Sequence, residues 1–238
     1  MTIAAFINET EGERSTARWV PVFTGLRDAI VSHKIAPGTK LPEDELAAIY
    51  GVSRTLVRAA LQALAHARLI TLEPNRGAFV AQPTKRQARE VFEARSLVEP
   101  HVAALAADVA KPAQIGELRQ HLEREHDALR EGRDSDAIAL SARFHLGIAE
   151  VADHAILTDI VRDLVTRSSL IIALYWRRRD TTCESHAHHA LVDAIENHRA
   201  REASDLMRSH LVDLLSGLDL LPVQESADFN LSAVLQRR

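Results

Sequence analysis

Only Gly51-Val52-Ser53 separates two short apolar-striped stretches, and this junction constrains the chain more than any other feature. Glycine tolerates the left-handed backbone that closes a helix, and serine is among the best residues to open the next. The stretch from Pro42 to Tyr50 predicts one helix, with proline at a favoured first position and Glu43, Asp44 and Glu45 at the positive helix end. The stretch from Ser53 to about Ala67 predicts another, with Val57, Ala60, Leu61 and Leu64 on one face. Arg54 and Arg58 stand one turn apart on the opposite side. Solvated surface charge would account for them, and so would a face aimed at a partner.

Their neighbours favour the second account. A helix from about Pro21 to His33 precedes them, with Leu26, Ala29, Ile30 and His33 on one stripe, and Pro37-Gly38 breaks it. The runs RLITLEP, NRG and AFVAQP follow, two β-like segments around a tight turn. Residues 21–82 therefore predict helix, helix, turn, helix, hairpin, which is a helix-turn-helix followed by a wing. In such a unit the third helix enters the DNA major groove. Arg54 and Arg58 would then meet guanine edges or phosphates, and Arg76, at the hairpin tip, the backbone or minor groove. Net charge is −4, but Ser53–Gly77 holds four arginines against the single acid Glu73, so the basic excess is local.

Residues 1–17 are polar and aperiodic and predict a loose arm; residues 226–238 predict a tail. Gln82-Pro83-Thr84 predicts a linker between a head at 18–83 and a second domain at 84–225. That domain predicts an all-α antiparallel bundle of about six helices. Val91, Val98, Val102, Leu105 and Val109 form a first stripe, and Leu118, Leu122 and Leu129 a second, opened after Pro112. Further helices fit Asp134–Val151, Ala155–Arg178, Glu184–His198 and Arg201–Leu221. With 46% hydrophobic residues but 4% aromatics, the chain is mainly α in prospect, not a β-sandwich. A single cysteine, Cys183, fits a reducing cytoplasm. No signal peptide and no stretch of roughly 20 apolar residues is present, so no membrane partner is expected.

The run from Leu26 to Pro83 resembles the winged helix-turn-helix of GntR-family bacterial transcription regulators, through APGTKL, ELA, GVSRT.VR.AL and NRGAFV in order. Residues 84–225 resemble the FadR-type ligand-sensing domain, often called FCD, through EARSLVEPHVAALAA, FHLGIAE, HHALVDAIENH and MRSHL. The resemblance implies a homodimer on a pseudo-palindromic double-stranded operator, governed by a small effector, a carboxylate metabolite. It implies DNA contacts from Ser53, Arg54, Thr55 and Arg58 on the recognition helix and from Arg76 and Gly77 on the wing. Leu56 stands where members often carry proline, and Ala59 where they often carry glutamate. An arginine that some relatives use near Asp44 is absent here.

Three of the twelve histidines share faces with apolar residues: His145 with Ile138, Ala142, Ile148 and Ala149, His188 with Leu191, Val192 and Ile195, and His210 with Leu206, Met207 and Leu214. One such histidine is ordinarily a satisfied core residue; three on three helices point to a site for Zn²⁺ or Ni²⁺. The resemblance adds that many such domains bind a divalent metal through one Asp and three His, with the Asp one turn before the first His. That position is Ser141, a poor ligand that leaves room for water or an effector carboxylate. Arg95 matches an arginine that faces the effector in relatives, and equally fits an i,i+4 ion pair with Glu99. His186 and His189 are expected to be solvated, and Tyr175 to Arg179 to be a helix end rather than an RNA platform. The competing function is a metal-dependent hydrolase built on the three histidines. It lacks an evident general base, and the expectation is that the chain is not an enzyme.

Overall fold

The computed structural model describes residues 18–177 and 182–220, with side chains from Ala187 onward in the second segment. The expected arm and tail, Arg178 and Arg179 lie outside these residues, and the side chains of Cys183 and His186 lie outside the described ones. The head begins with α1 (Val20–Val31), which buries Val22, Leu26 and Ile30. Strand β1 (Lys40–Leu41) leads into α2 (Glu43–Tyr50), then α3 (Arg54–His66), β2 (Ile70–Glu73) and β3 (Gly77–Val80).

The junction from Gly51 to Ser53 folds as its residues dictate. Gly51 closes α2 at φ +62°, in the region where a Cβ is penalised. Ser53 opens α3 with extended backbone, and its hydroxyl accepts the Leu56 N–H at 3.4 Å. Pro42 sits just outside α2 as its N-cap, one position earlier than expected. At the wing tip Pro74 precedes Asn75, whose φ is +60°, and the Arg76 N–H returns to the Glu73 carbonyl at 3.1 Å. Proline then a positive φ is the signature of a type II turn.

The wing is one strand richer than the hairpin read from sequence. β1 pairs antiparallel with β3 through Lys40–Phe79 and Leu41–Ala78, giving the order β1-β3-β2. Leu41, Leu46, Val57, Leu61, Leu64, Ile70, Ala78 and Val80 close one core with the buried face of α1.

The bundle holds α4 (Lys85–Val109), α5 (Pro112–Arg130), α6 (Asp134–Val151), α7 (Ala155–Tyr175), α8 (Thr182–Glu196) and α9 (Ala200–Ser216). Thr84 and Gln87 form a capping box at the start of α4. This helix runs through Pro100 and packs along α9, α7 and α6. Its buried face corrects the expected valine stripe. The core side carries Ala88, Phe92, Val102, Ala103, Ala106 and Ala107, whereas Val91, Val98 and Leu105 are half-buried and Val109 is 47% exposed. The alanines let α9 lie close, and Val91, Val98 and Leu105 flank the contact. α6 approaches α5 at Gly147, where a Cβ would stand 2.9 Å from Leu118 Cδ2. The described residues of α7 end at Tyr175, short of the expected Arg178. Trp176 bridges to Leu218 and the Arg177 guanidinium pairs with Asp219 at 2.5 Å, so this is a helix end fastened to the chain beyond α9.

Candidate functional site

Two assemblies of polar residues stand out, one on the head and one inside the bundle. On the head, the apolar face of α3 is buried while Ser53, Arg54, Thr55 and Arg58 are exposed at its N-terminal end. Arg76 and Gly77 are exposed on the wing. Ser53 has a second duty as the cap that starts the helix. The two α3 arginines carry partners that sequence spacing did not reveal. Arg58 Nε donates to both carboxylate oxygens of Glu43, at 3.0 and 2.8 Å, and Arg54 Nε lies 3.0 Å from Asp44 Oδ1. Both guanidinium groups remain more than half exposed, where solvent screens such pairs. An entering phosphate or guanine can therefore compete for them at small cost. Arg76 pairs with Glu73 and lies over the Phe79 ring at 5.4 Å.

Inside the bundle, α6, α8 and α9 bring His145, His188 and His210 together as the sequence reading expects. The three are 3%, 0% and 2% exposed. His210 Nε2 stands 3.1 Å from His188 Nε2 and 3.3 Å from His145 Nε2, and one ring nitrogen from each residue lies within 4.8 Å of the others. Zn–N bonds of about 2.0–2.1 Å in a tetrahedral site place ligand nitrogens about 3.3–3.4 Å apart. The donor set and its spacing fit a borderline divalent ion. Ser141, one turn before His145 on α6, is half-buried.

Residues that sequence reasoning missed surround the cluster. His145 Nδ1 is 2.6 Å from Glu99 Oε2, and His188 Nδ1 is 3.1 Å from Glu125 Oε2. Glu99 and Glu125 are 2% and 3% exposed. Arg95 closes the outer side: its Nε donates to Glu99 Oε1 at 2.5 Å, its Nη1 to Ser168 Oγ at 3.1 Å, and its guanidinium lies over the Phe92 ring. Of the two readings of Arg95, the structure contains the i,i+4 pair. Phe144 lies against His188 with ring centres 4.2 Å apart.

Burial alone would raise the Glu99 carboxyl, but Arg95 and His145 beside it outweigh burial and hold it at about 2. His145 is lowered from its ordinary value by burial and by the nearby Arg95, against the opposing pull of Glu99. His210 is lowered further, by burial and by the adjoining His188 and His145. His145 and His210 thus favour the neutral form beside an ionised Glu99, the protonation that metal ligation requires. Other histidines serve structure: His121 Nε2 meets the Leu140 carbonyl at 2.8 Å, and His198 Nδ1 meets that of Ala107 at 2.7 Å. His189, expected to be solvated, is half-buried against the His126 ring.

Known proteins decide what this pairing of head and bundle is. Residues 21–80 match the model of the bacterial regulatory proteins of the gntR family, and residues 90–213 match the FCD domain. The chain belongs to the GntR family of bacterial regulatory proteins. It is 31% identical over 164 residues to the HTH-type transcriptional repressor RspR of Escherichia coli K12, covering 69% of this chain and 70% of the relative. To the Nta operon transcriptional regulator of Aminobacter aminovorans it is 26% identical, over 76% and 85% of the two chains. The E. coli McbR/YncC structure superposes with a TM-score of 0.76 at 22% identity, over 84% of this chain and 95% of that one. A GntR-type regulator from Rhodococcus sp. RHA1 gives 0.73 at 25% identity, over 84% and 96%. This GntR-family protein is a DNA-binding transcription regulator with a helical FCD domain, not an enzyme. The hydrolase alternative finds no support among these relatives. The two acids nearest the histidines are also engaged by imidazole rings, and Glu99 by Arg95 as well, so neither is a spare general base. Among the described residues no helix is long and apolar enough to cross a membrane.

Proposed function

We propose that the chain is a FadR-type regulator that binds a pseudo-palindromic operator in the cytoplasm as a homodimer. One head reads one half-site, and two-fold symmetry of the protein matches that of the DNA. Ser53, Arg54, Thr55 and Arg58 contact the major groove, and Arg76 and Gly77 the flanking backbone or minor groove. The bundle holds Zn²⁺ or Ni²⁺ on His145, His188 and His210. A small carboxylate effector takes the position beside Ser141 and shifts the balance between two placements of the heads. When bound, the ion supplies a Lewis-acidic centre for that carboxylate. Arg95 backs the site through Glu99; an effector reaching its guanidinium would have to compete with that carboxylate.

The observation that carries the reading is the exposed arginine face of α3. Its apolar side is fully used by the head core, and its two cations sit at the helix end that a groove would admit. The test begins with selection of a preferred duplex from a randomised library by the full-length protein. Arg54→Ala should weaken binding to that duplex by about 1–3 kcal/mol, the cost of losing a bidentate guanine contact. It should change affinity for a scrambled duplex far less. Equal losses on both duplexes would make Arg54 a phosphate contact, and no loss on either would remove it from the interface. Affinity should also fall steeply with salt.

A further inference from the structure

We infer that Glu99 and Glu125 are positioning residues of the three-histidine site, fixing His145 and His188 as Nδ1–H tautomers so that both Nε2 lone pairs face His210. The inference rests on the metal reading above only for what those lone pairs receive.

A neutral imidazole carries one proton, on either nitrogen, whereas an ionised carboxylate only accepts. The ring nitrogen facing a carboxylate must then be the protonated one. Glu99 Oε2 faces His145 Nδ1 at 2.6 Å and Glu125 Oε2 faces His188 Nδ1 at 3.1 Å. Both Nε2 atoms are left as acceptors, and both approach His210 Nε2, at 3.3 and 3.1 Å. In the metal-free chain the proton of His210 must sit on its Nε2, where it serves two acceptors. As a third ligand through Nε2, His210 would carry its ring hydrogen on Nδ1 instead.

The two carboxylates come from α4 and α5, outside the three helices that carry the ligands, so each ring is held from the side away from the cluster. Charge adds an independent reason. Serine at 141 brings no negative charge, and Glu99 is matched by Arg95. Glu125 is the remaining carboxylate, and it meets the His188 ring. Holding a carboxylate at 3% exposure beside an uncharged ring is costly. A cation on the far nitrogen of that ring offsets this cost. Carboxylate–histidine–metal arrangements work in this way, and losing the outer acid weakens metal binding about 10–100-fold.

The test uses the full chain, metal-free, with ¹⁵N-labelled histidine. Long-range proton–nitrogen spectra of the rings report which nitrogen is protonated. The expected result is Nδ1–H for His145 and His188, Nε2–H for His210, and a change of His210 to Nδ1–H on adding Zn²⁺. Glu125→Ala should release His188 from the Nδ1–H form and lower Zn²⁺ affinity, measured against a chromophoric chelator, about 10–100-fold. Glu125→Gln keeps a carbonyl acceptor and should retain the tautomer and recover part of the affinity. His188 protonated at Nε2 in the wild type would overturn the assignment without any variant having to fold. An unchanged tautomer and affinity in Glu125→Ala would overturn it too. Wild-type protein that shows the stated tautomers but takes up no Zn²⁺ would sink the metal reading and leave the positioning roles standing.

Discussion

Glu99 stays a carboxylate inside the bundle because Arg95 lies on one side of it and His145 on the other. Removing Arg95 would leave that buried charge uncompensated, which costs about 3–5 kcal/mol. The same arrangement sets a pH dependence whose sign can be worked out residue by residue. Unfolding returns Glu99 from about 2 to its ordinary value of 4.5, so the unfolded chain takes up the proton first. Stability from this group is present above pH 4.5 and is lost as pH falls from there towards 2. His145 and His210 act in the same direction at higher pH. Burial makes both worse proton acceptors than an unfolded histidine near 6.5. Their contribution is complete above 6.5 and declines below it. The metal-free protein should show a urea midpoint that is level above neutrality, falls below pH 6.5 and falls again below 4.5. Glu99→Gln should flatten the second decline. A midpoint level from neutrality down to pH 5 would contradict the burial of neutral imidazoles.

The recognition helix depends at its start on one hydroxyl. Ser53→Ala should destabilise the head by about 1 kcal/mol, because the Leu56 N–H loses its side-chain acceptor and keeps only the Ser53 carbonyl. Chemical denaturation of Ser53→Ala against Ser53→Gly checks this, since glycine at an N-cap costs only a few tenths; equal stability of wild type and alanine would remove the cap. Helices of this kind were readable from sequence because their ends are marked by Gly51, Ser53 and Pro112. β1 was not, since a two-residue strand has no periodicity and its partner Phe79 lies far along the chain. The face of α4 was misread because valines weigh more in an apolar stripe than the alanines that allow close packing. The three histidines were readable as polar residues on apolar faces. Glu125 carried the same signal, continuing the Ile115, Leu118, Leu122 stripe at the next i+3 position, but in HLEREHD it passes for one more surface acid. The Arg54 and Arg58 pairs with α2 form across the helix-turn-helix junction, which fixes them only once the two helices have packed.

At the scale of the whole molecule, α7 joins the sensing bundle to the DNA-binding head through three successive residues. Ser168 accepts from Arg95 within the pocket's outer layer. The Ser169 carbonyl meets His33 Nε2 of the head at 2.8 Å. Leu170, 1% exposed, packs in the head core with Val22, Leu26 and Ile30 although its helix belongs to the bundle. Tyr175, at the end of the same helix, donates to the Pro83 carbonyl at 2.8 Å and holds the connecting segment. A change at the histidine cluster that moves Glu99 and Arg95 is thus one helical turn from the floor of the head. Leu170→Ala should cost about 2–5 kcal/mol, as for other buried leucines, and the loss should appear in the head. Hydrogen exchange should speed up in α1 and α3, while α4 and α9 keep their protection. Leu122→Ala, in the bundle core away from the head, should loosen α4 and α5 and leave α1 and α3 protected. If Leu170→Ala instead speeds exchange only within the bundle, α7 does not anchor the head, and communication from pocket to DNA must run through the linker at Gln82–Thr84.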